Sequence, residues 1–349
     1  LVSSGACSLT VSQAGNSNYD AAVDVVVGFT VNKASVAIGS FALASKVYGD
    51  AAFDITNPTA TFSGSVDGTW GYASGTPSVA TISGNRVTVL TAGSSVVTAT
   101  FTPTDSGKYA VRTTTATLTV DKATPTFTWS SVSATYGDAN AAITAPTVGG
   151  SVAGSWSYAS ATNSVVAVSG SSLDFGNVGS SVVTATFTPT DTANYVSGGT
   201  VTMTVSVATA DQSGLTVTSV SGTYGSTVSL AVSGGTTSGS VSYATTGAGC
   251  SITSGVLSKL SAGDCSVTAT MAGNDNYNAV SSLATTVTFA KASQSGLSVT
   301  TTSGTYGIDL TLNVGGGTTA GSVTYVVTGA GCSQTDGVLT KNAAGDCSV

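Results

Sequence analysis

Histidine and glutamate are both absent from this 349-residue chain, and all sixteen acidic residues are aspartate. That absence removes most general acid–base pairs and every Ser-His-Asp arrangement. Ser and Thr are abundant, but no base stands out beside any of them, and the chain is expected not to be an enzyme. Charged residues make up only 7%, against the usual quarter, and the net charge is -7. No basic stripe exists to neutralise phosphates, which argues against nucleic acid as a partner. No apolar run approaches the roughly 18 residues of a membrane-crossing helix, so no membrane span is expected in this segment. Asn-x-Ser/Thr acceptors with a permitted middle residue are missing too, so N-linked sugar is not expected, while O-linked sugar stays open. The Gly315–Gly317 run lacks the Lys-Ser/Thr of a phosphate loop and reads as a turn. The chain opens on Leu1 with no signal peptide, like a piece of something longer, so the lack of a targeting signal says nothing about compartment.

What is there is apolar and β-branched. Hydrophobic residues reach 41%, good helix formers are few, and strands are favoured. The pattern is also repetitive. Tyr-Gly recurs at Tyr48, Tyr136, Tyr224 and Tyr306, with spacings of 88, 88 and 82 residues. About twenty residues later stand "TWGYAS", "SWSYAS", "SVSYAT" and "SVTYVV". A third landmark, "TATFTPTDSGKY" to Tyr109, recurs as "TATFTPTDTANY" to Tyr195 and "TATMAGNDNY" to Tyr277. "TVSQAGNSNY" to Tyr19 is the same element from an earlier unit. The joints carry Lys33, Lys122 and Lys291, and the joint near Val207 lacks its Lys. This periodicity predicts the tail of a repeat at 1–32, whole repeats at 33–121, 122–207 and 208–290, and the head of another at 291–349: a window on a longer array.

Within each unit the apolar residues alternate. In "SVVTATF", Val97, Ala99 and Phe101 share one face and Thr98 and Thr100 the other; in "TTTATLTV", Ala116, Leu118 and Val120 face inward. A period of two is the mark of a half-buried antiparallel strand. Turn residues separate such runs every 8–12 residues or so, the spacing of a sandwich or barrel. The expected fold class is therefore all-β, a series of tandem sandwiches. The Lys-Ala joints hold no flexible linker, which predicts an elongated, semi-rigid rod.

Cys250 and Cys265 are 15 apart, as are Cys332 and Cys347, at matching positions of their repeats. Without His or a Cys-x-x-Cys the pairs do not read as zinc ligands, and two disulfides are expected, 250–265 and 332–347. Closing such a loop contributes about 3 kcal/mol in the chain-entropy picture, and disulfides persist outside the cytosol. Cys7 matches Cys265 and Cys347, so its partner is expected upstream of the chain. Counting seven residues past the landmark tyrosine pairs the first cysteine position with Val79 and Val165, and the second with Ser95 and Ser181. These cysteine-free repeats carry Trp70 and Trp156 instead, which suggests two ways of securing a thin core, a buried indole or a covalent staple; drift between subfamilies is the alternative.

The pieces "VYGDAAFDIT", "GTWGYAS" and "TATFTPTDTANY", with "KA" at the joints, resemble the glycine-rich bacterial Ig-like repeats often called MBG. The resemblance spans the chain and implies tandem Ig-like sandwiches of secreted or surface proteins. It supplies no catalytic residues. The 15-residue cysteine spacing departs from antibody domains, and a local hairpin-like staple is expected in place of a bridge between sheets.

Other chemistry is thinly supported. Calcium at the joints would draw on Asp121, Asp50, Asp138 or Asn274–Asn276, but calcium wants six to eight oxygens, and Asx turns explain these residues as well. Isopeptide bonds at the joint lysines need a buried acid that the glutamate-free sequence does not provide. The Tyr and Trp landmarks could form a sugar platform, though paired tryptophans more often mark a core. The expected function is a structural shaft or fibre-forming segment of an extracellular bacterial surface protein, such as an adhesin stalk or filament. Its partners would be neighbouring copies or repeats, with a host or environmental surface ligand also open. Two alternatives stand beside it: glycan- or protein-binding Ig-like modules, and an accessory region of a larger secreted enzyme.

Overall fold

The structure, a computed structural model, describes residues 2–349. It is all-β, a tandem series of Ig-like sandwiches; among the described residues the one helical element is the three-residue 3-10 turn Gly149–Ser151. No helix of the described residues is long and apolar enough to cross a membrane. The chain divides into two compact units, Leu1–Ala208 and Thr209–Val349.

In the first unit, Gly93–Pro103 is the central strand of the stretch 33–121. Its eleven residues alternate faces, so Val97, Ala99 and Phe101 are buried while Val96 and Thr102 are exposed. It pairs antiparallel with Arg112–Asp121 on one side, Val97 opposite Ala116, and with Gly68–Ser74 on the other, Phe101 opposite Trp70. Lys46–Val47 closes the far edge in parallel, Val120 opposite Lys46. The second sheet is Phe53–Asp54, Arg86–Val89 and Ala80–Ser83. Between the sheets lie Ile55, Val79, Ala80, Val87, Val97, Leu118 and Val120. Each fully buried Val or Leu contributes roughly 1.5–3 kcal/mol, so a few such side chains hold a thin sandwich. A smaller cluster at one end gathers Val36, Ala60, Val66 and Phe101, with Trp70 packed against it.

The same plan returns twice. In 122–207 the four-stranded sheet runs Val132–Thr135, Gly199–Ala208, Gly179–Pro189, Gly154–Ser160, facing Ala141–Ala142, Ser172–Phe175 and Val166–Ser169. In the second unit, Ser221–Thr223, Thr285–Ala290, Gly263–Met271 and Val241–Thr246 face Val228–Ser229, Val256–Lys259 and Cys250–Thr253. Residues 291–349 hold a smaller version, with the sheet Leu310–Thr311, Val338–Lys341 and Cys332–Thr335. Near the start, Gly5–Val11 pairs with Val25–Val31, and Leu9, Val27 and Phe29 are exposed.

One glycine position is set by close approach. A Cβ on Gly68 would meet the Phe101 ring and the Thr102 carbonyl at 2.5 Å, and one on Gly154 would strike the Phe187 ring. The glycine two residues before each landmark tryptophan is therefore a packing requirement, because the aromatic ring of the central strand lies against its backbone.

Candidate functional site

Cys250 and Cys265 lie where two sheets meet. Cys250 opens the strand Cys250–Thr253 and Cys265 lies in Gly263–Met271, which belong to different sheets. The structure joins them with Cα atoms 5.9 Å apart, and joins Cys332 to Cys347 with Cα atoms 6.0 Å apart. The 250–265 bond thus ties one sheet to the other. The expectation of a local hairpin staple is corrected: the hairpin at 250–259 turns within one sheet, and its first residue faces across the core. Cys265 is fully buried, Cys250 half-buried, and Cys7 carries an exposed thiol.

The hairpin register also corrects the residue matching. Cys250 pairs with Lys259, Ala80 with Val89, and Val166 with Phe175, each as the first rung of its hairpin. The counterparts of Cys250 are therefore Ala80 and Val166, not Val79 and Val165. The stretch from the landmark tyrosine to the hairpin is one residue longer in the cysteine-free repeats, so counting from the tyrosine slips by one. At the Cys265 position Ser95 is buried; its hydroxyl lies 2.9 Å from Ser74 Oγ and accepts the Thr76 N–H at 3.1 Å. Ser181 does the same with Ser160, 2.8 Å away, and Thr162, 3.0 Å. The Cys265 position is thus filled by a satisfied hydroxyl paired within its own sheet, with no bond to the opposite one.

The tryptophans secure a different place. Trp70 and Trp156 are half-buried on edge strands, with ring centroids 5.1 and 4.9 Å from Phe101 and Phe187. Phe101 lies six residues along the strand from Ser95, about 20 Å away at the usual rise. Indole and disulfide are therefore not substitutes at one site. In the third repeat the Trp–Phe rung is replaced by Val241 opposite Met271.

Within the first unit, the joint between 33–121 and 122–207 is built from side chains. Asn194, only 8% exposed, accepts the Ala92 N–H on Oδ1 at 2.8 Å and donates from Nδ2 to Asp191 Oδ2 at 2.8 Å. Tyr195 meets Tyr48 edge-to-face at 5.4 Å. Ala123 donates to the Asn194 carbonyl and Lys122 Nζ to that of Thr192. The amide of Asn194 holds the Asp191 carboxyl below its ordinary range, with backbone N–H groups and Lys122 adding to the effect. One joint earlier the same place is served differently: Ser4 donates its N–H and hydroxyl to the Gly107 carbonyl at 3.0 and 2.7 Å. There Lys108, in the place of Asn194, forms an ion pair with Asp105 at 3.0 Å.

The remaining oxygen-bearing candidates are engaged in turns. Asp50 Oδ2 accepts the Val47 N–H, Asp138 Oδ2 that of Thr135, and Asn274 Oδ1 those of Asn276 and Tyr277. Asp121 is exposed at the end of its strand. Among the described residues no three Asp, Cys or other metal-binding side chains come together. A cleft of about 550 Å³ lies in 291–349, with Leu310, Leu312, Leu339, Lys341 and Asp346 among its lining residues.

No family model matches the chain. No curated protein matches it either. Among solved structures it is similar to Drosophila N-cadherin EC1-4 at 12% identity and a TM-score of 0.30, covering 83% of this chain and 84% of that one. It is similar to the protocadherin GammaB4 extracellular domain at 14% identity and a TM-score of 0.30, covering 98% and 66%. Domains 1-6 of the surface layer protein SbsC match at 16% identity and a TM-score of 0.26, covering 98% of this chain and 54% of that one. At such TM-scores the likeness transfers no function; the fold rests on this chain's own ladders.

Proposed function

We propose that the chain is a structural, non-catalytic shaft segment of a long secreted bacterial surface protein, an adhesin stalk or extracellular filament. The repeats 33–121, 122–207 and 208–290, flanked by 1–32 and 291–349, are its building blocks. The observation that carries this reading is the joint in the first unit. Strand Arg112–Asp121 ends one sandwich, and two residues on Ala123 already bridges to Tyr195 of the next. No linker intervenes, and Asn194 and Tyr195 fasten the next sandwich to Ala92 and Tyr48. Contacts of this nearest-neighbour kind let length grow by repetition while each repeat keeps its own core. The disulfides fit an oxidising compartment. Electron micrographs of the purified chain test the reading: thin rods support it, and round particles contradict it.

A further inference from the structure

Each disulfide has a lysine beside it. Lys259 Nζ lies 3.6 Å from Cys250 Sγ, and Lys341 Nζ lies 3.2 Å from Cys332 Sγ. In both hairpins the lysine is the residue directly opposite the cysteine. The ammonium is held by a backbone carbonyl two residues before the cysteine, Ala248 at 2.7 Å and Ala330 at 3.1 Å. That anchor does not depend on the sulfur–sulfur bond, so the ammonium keeps its place when the bond is open. The cysteine-free hairpins put Val89 and Phe175 at this rung. Lysine therefore accompanies cysteine and is absent where cysteine is absent.

We propose that Lys259 and Lys341 are positioning residues for closure of these disulfides, each favouring the thiolate of Cys250 or Cys332 and making it the attacking sulfur. A cation beside a thiol favours its ionised form, and the thiolate is the nucleophile. The Cys250 thiolate attacks one sulfur of a small-molecule disulfide, forming a mixed disulfide and releasing one thiolate. Cys265, deprotonated by solvent, then attacks Cys250 Sγ and expels the second thiolate. Two protein thiols are oxidised and one external disulfide is reduced to two thiols. In the 250–265 pair exposure sets the order, since Cys265 is fully buried and out of reach of a reagent whereas Cys250 is half-buried; Cys332 and Cys347 are both half-buried, and there the lysine alone marks Cys332. The backbone is open beside this sulfur, since Gly247 (φ 127°) and Gly329 (φ 130°) carry no Cβ that would press on it. The other charged groups nearby are Asp264 on the strand facing Lys259, whose carboxylate accepts the Thr288 hydroxyl at 2.7 Å, and, beside Lys341, Asp346, which precedes Cys347, and Asp309, which accepts the Thr340 hydroxyl at 2.8 Å.

The test uses the full chain with Cys7→Ser and Cys265→Ser, leaving Cys250 as the free thiol. Serine at position 265 is what the first two repeats carry at Ser95 and Ser181, so the sandwich keeps a residue it accommodates. Alkylation of Cys250 by iodoacetamide is followed by mass spectrometry from pH 5 to 10. Near pH 7 the chain with Lys259 reacts about three- to tenfold faster than Lys259→Met, and Lys259→Arg keeps the faster profile. Superimposable profiles for Lys259 and Lys259→Met overturn the proposal. A second measurement reoxidises the reduced Cys7→Ser chain with oxidised glutathione. The mixed disulfide forms first on Cys250, and Lys259→Met slows closure at least threefold; first capture on Cys265, or unchanged closure, overturns it.

Discussion

Ala80 and Ser95 stand in the first repeat where Cys250 and Cys265 stand in the third, so a disulfide should transfer between repeats. Ala80→Cys with Ser95→Cys reproduces the 15-residue spacing of the natural pairs. Both positions are buried, at 0% and 1% exposure. Closing the loop contributes about 3 kcal/mol in the chain-entropy picture. Losing the Ser95 hydroxyl, which bonds Ser74 and Thr76, costs about 1 kcal/mol. The net gain is about 2 kcal/mol, a rise of roughly 1–2 M in the urea midpoint for a domain of this size. Trp70 reports that transition alone once Trp129 and Trp156 are replaced by phenylalanine. Thiol titration under denaturing conditions counts the bond. The variant Val79→Cys with Ser95→Cys, which the tyrosine count would favour, is expected to keep both thiols free. If the Val79 pair closes and the Ala80 pair does not, Ala80 is not the counterpart of Cys250.

Gly68→Ala should destabilise the first repeat by about 1–3 kcal/mol, the usual cost of overpacking, because the added methyl meets the Phe101 ring and the Thr102 carbonyl; an unchanged urea midpoint would refute that contact. Asp191 should titrate below the usual carboxylate value of about 3.9. Because its folded value is lowered, its contribution to the joint is present above the unfolded value and is lost as pH falls through the folded one. NMR titration of its carboxyl carbon follows this directly. Asn194→Ala should move the midpoint upward, and an unmoved midpoint would show that the amide is not the cause.

Much of the architecture was legible because alternation is a local signal. "SVVTATF" declares its inner face by itself, and Val97, Ala99 and Phe101 are buried as that pattern requires. The recurring Tyr-Gly marks a turn that the structure repeats, with the Tyr48, Tyr136 and Tyr224 N–H groups donating to Asp121, Ala208 and Ala290. What sequence reading missed depended on loops and on distance along the chain. A one-residue difference before the hairpin displaced Ala80 to Val79 in the matching. The 15-residue spacing of Cys250 and Cys265 looked local, because nothing in the spacing tells that the intervening hairpin lies in the opposite sheet. Trp70 was expected in the core, but an edge strand leaves one side of its indole in water. Asn194 was invisible as a joint residue, since its partner Ala92 is 102 residues away; the one available signal was its place just before the recurring tyrosine. Lys259 and Lys341 could have been found by noticing that each lies nine residues after a cysteine.

The proposed shaft requires that the sandwiches join end to end and act through their length. Small-angle X-ray scattering from the whole chain at low concentration tests it directly. Four units of about 30 Å in line give a radius of gyration near 35 Å, whereas a compact globule of this length has one of about 20 Å. A value near 35 Å with a maximum dimension above about 100 Å is the predicted result, and a value near 20 Å would contradict the account.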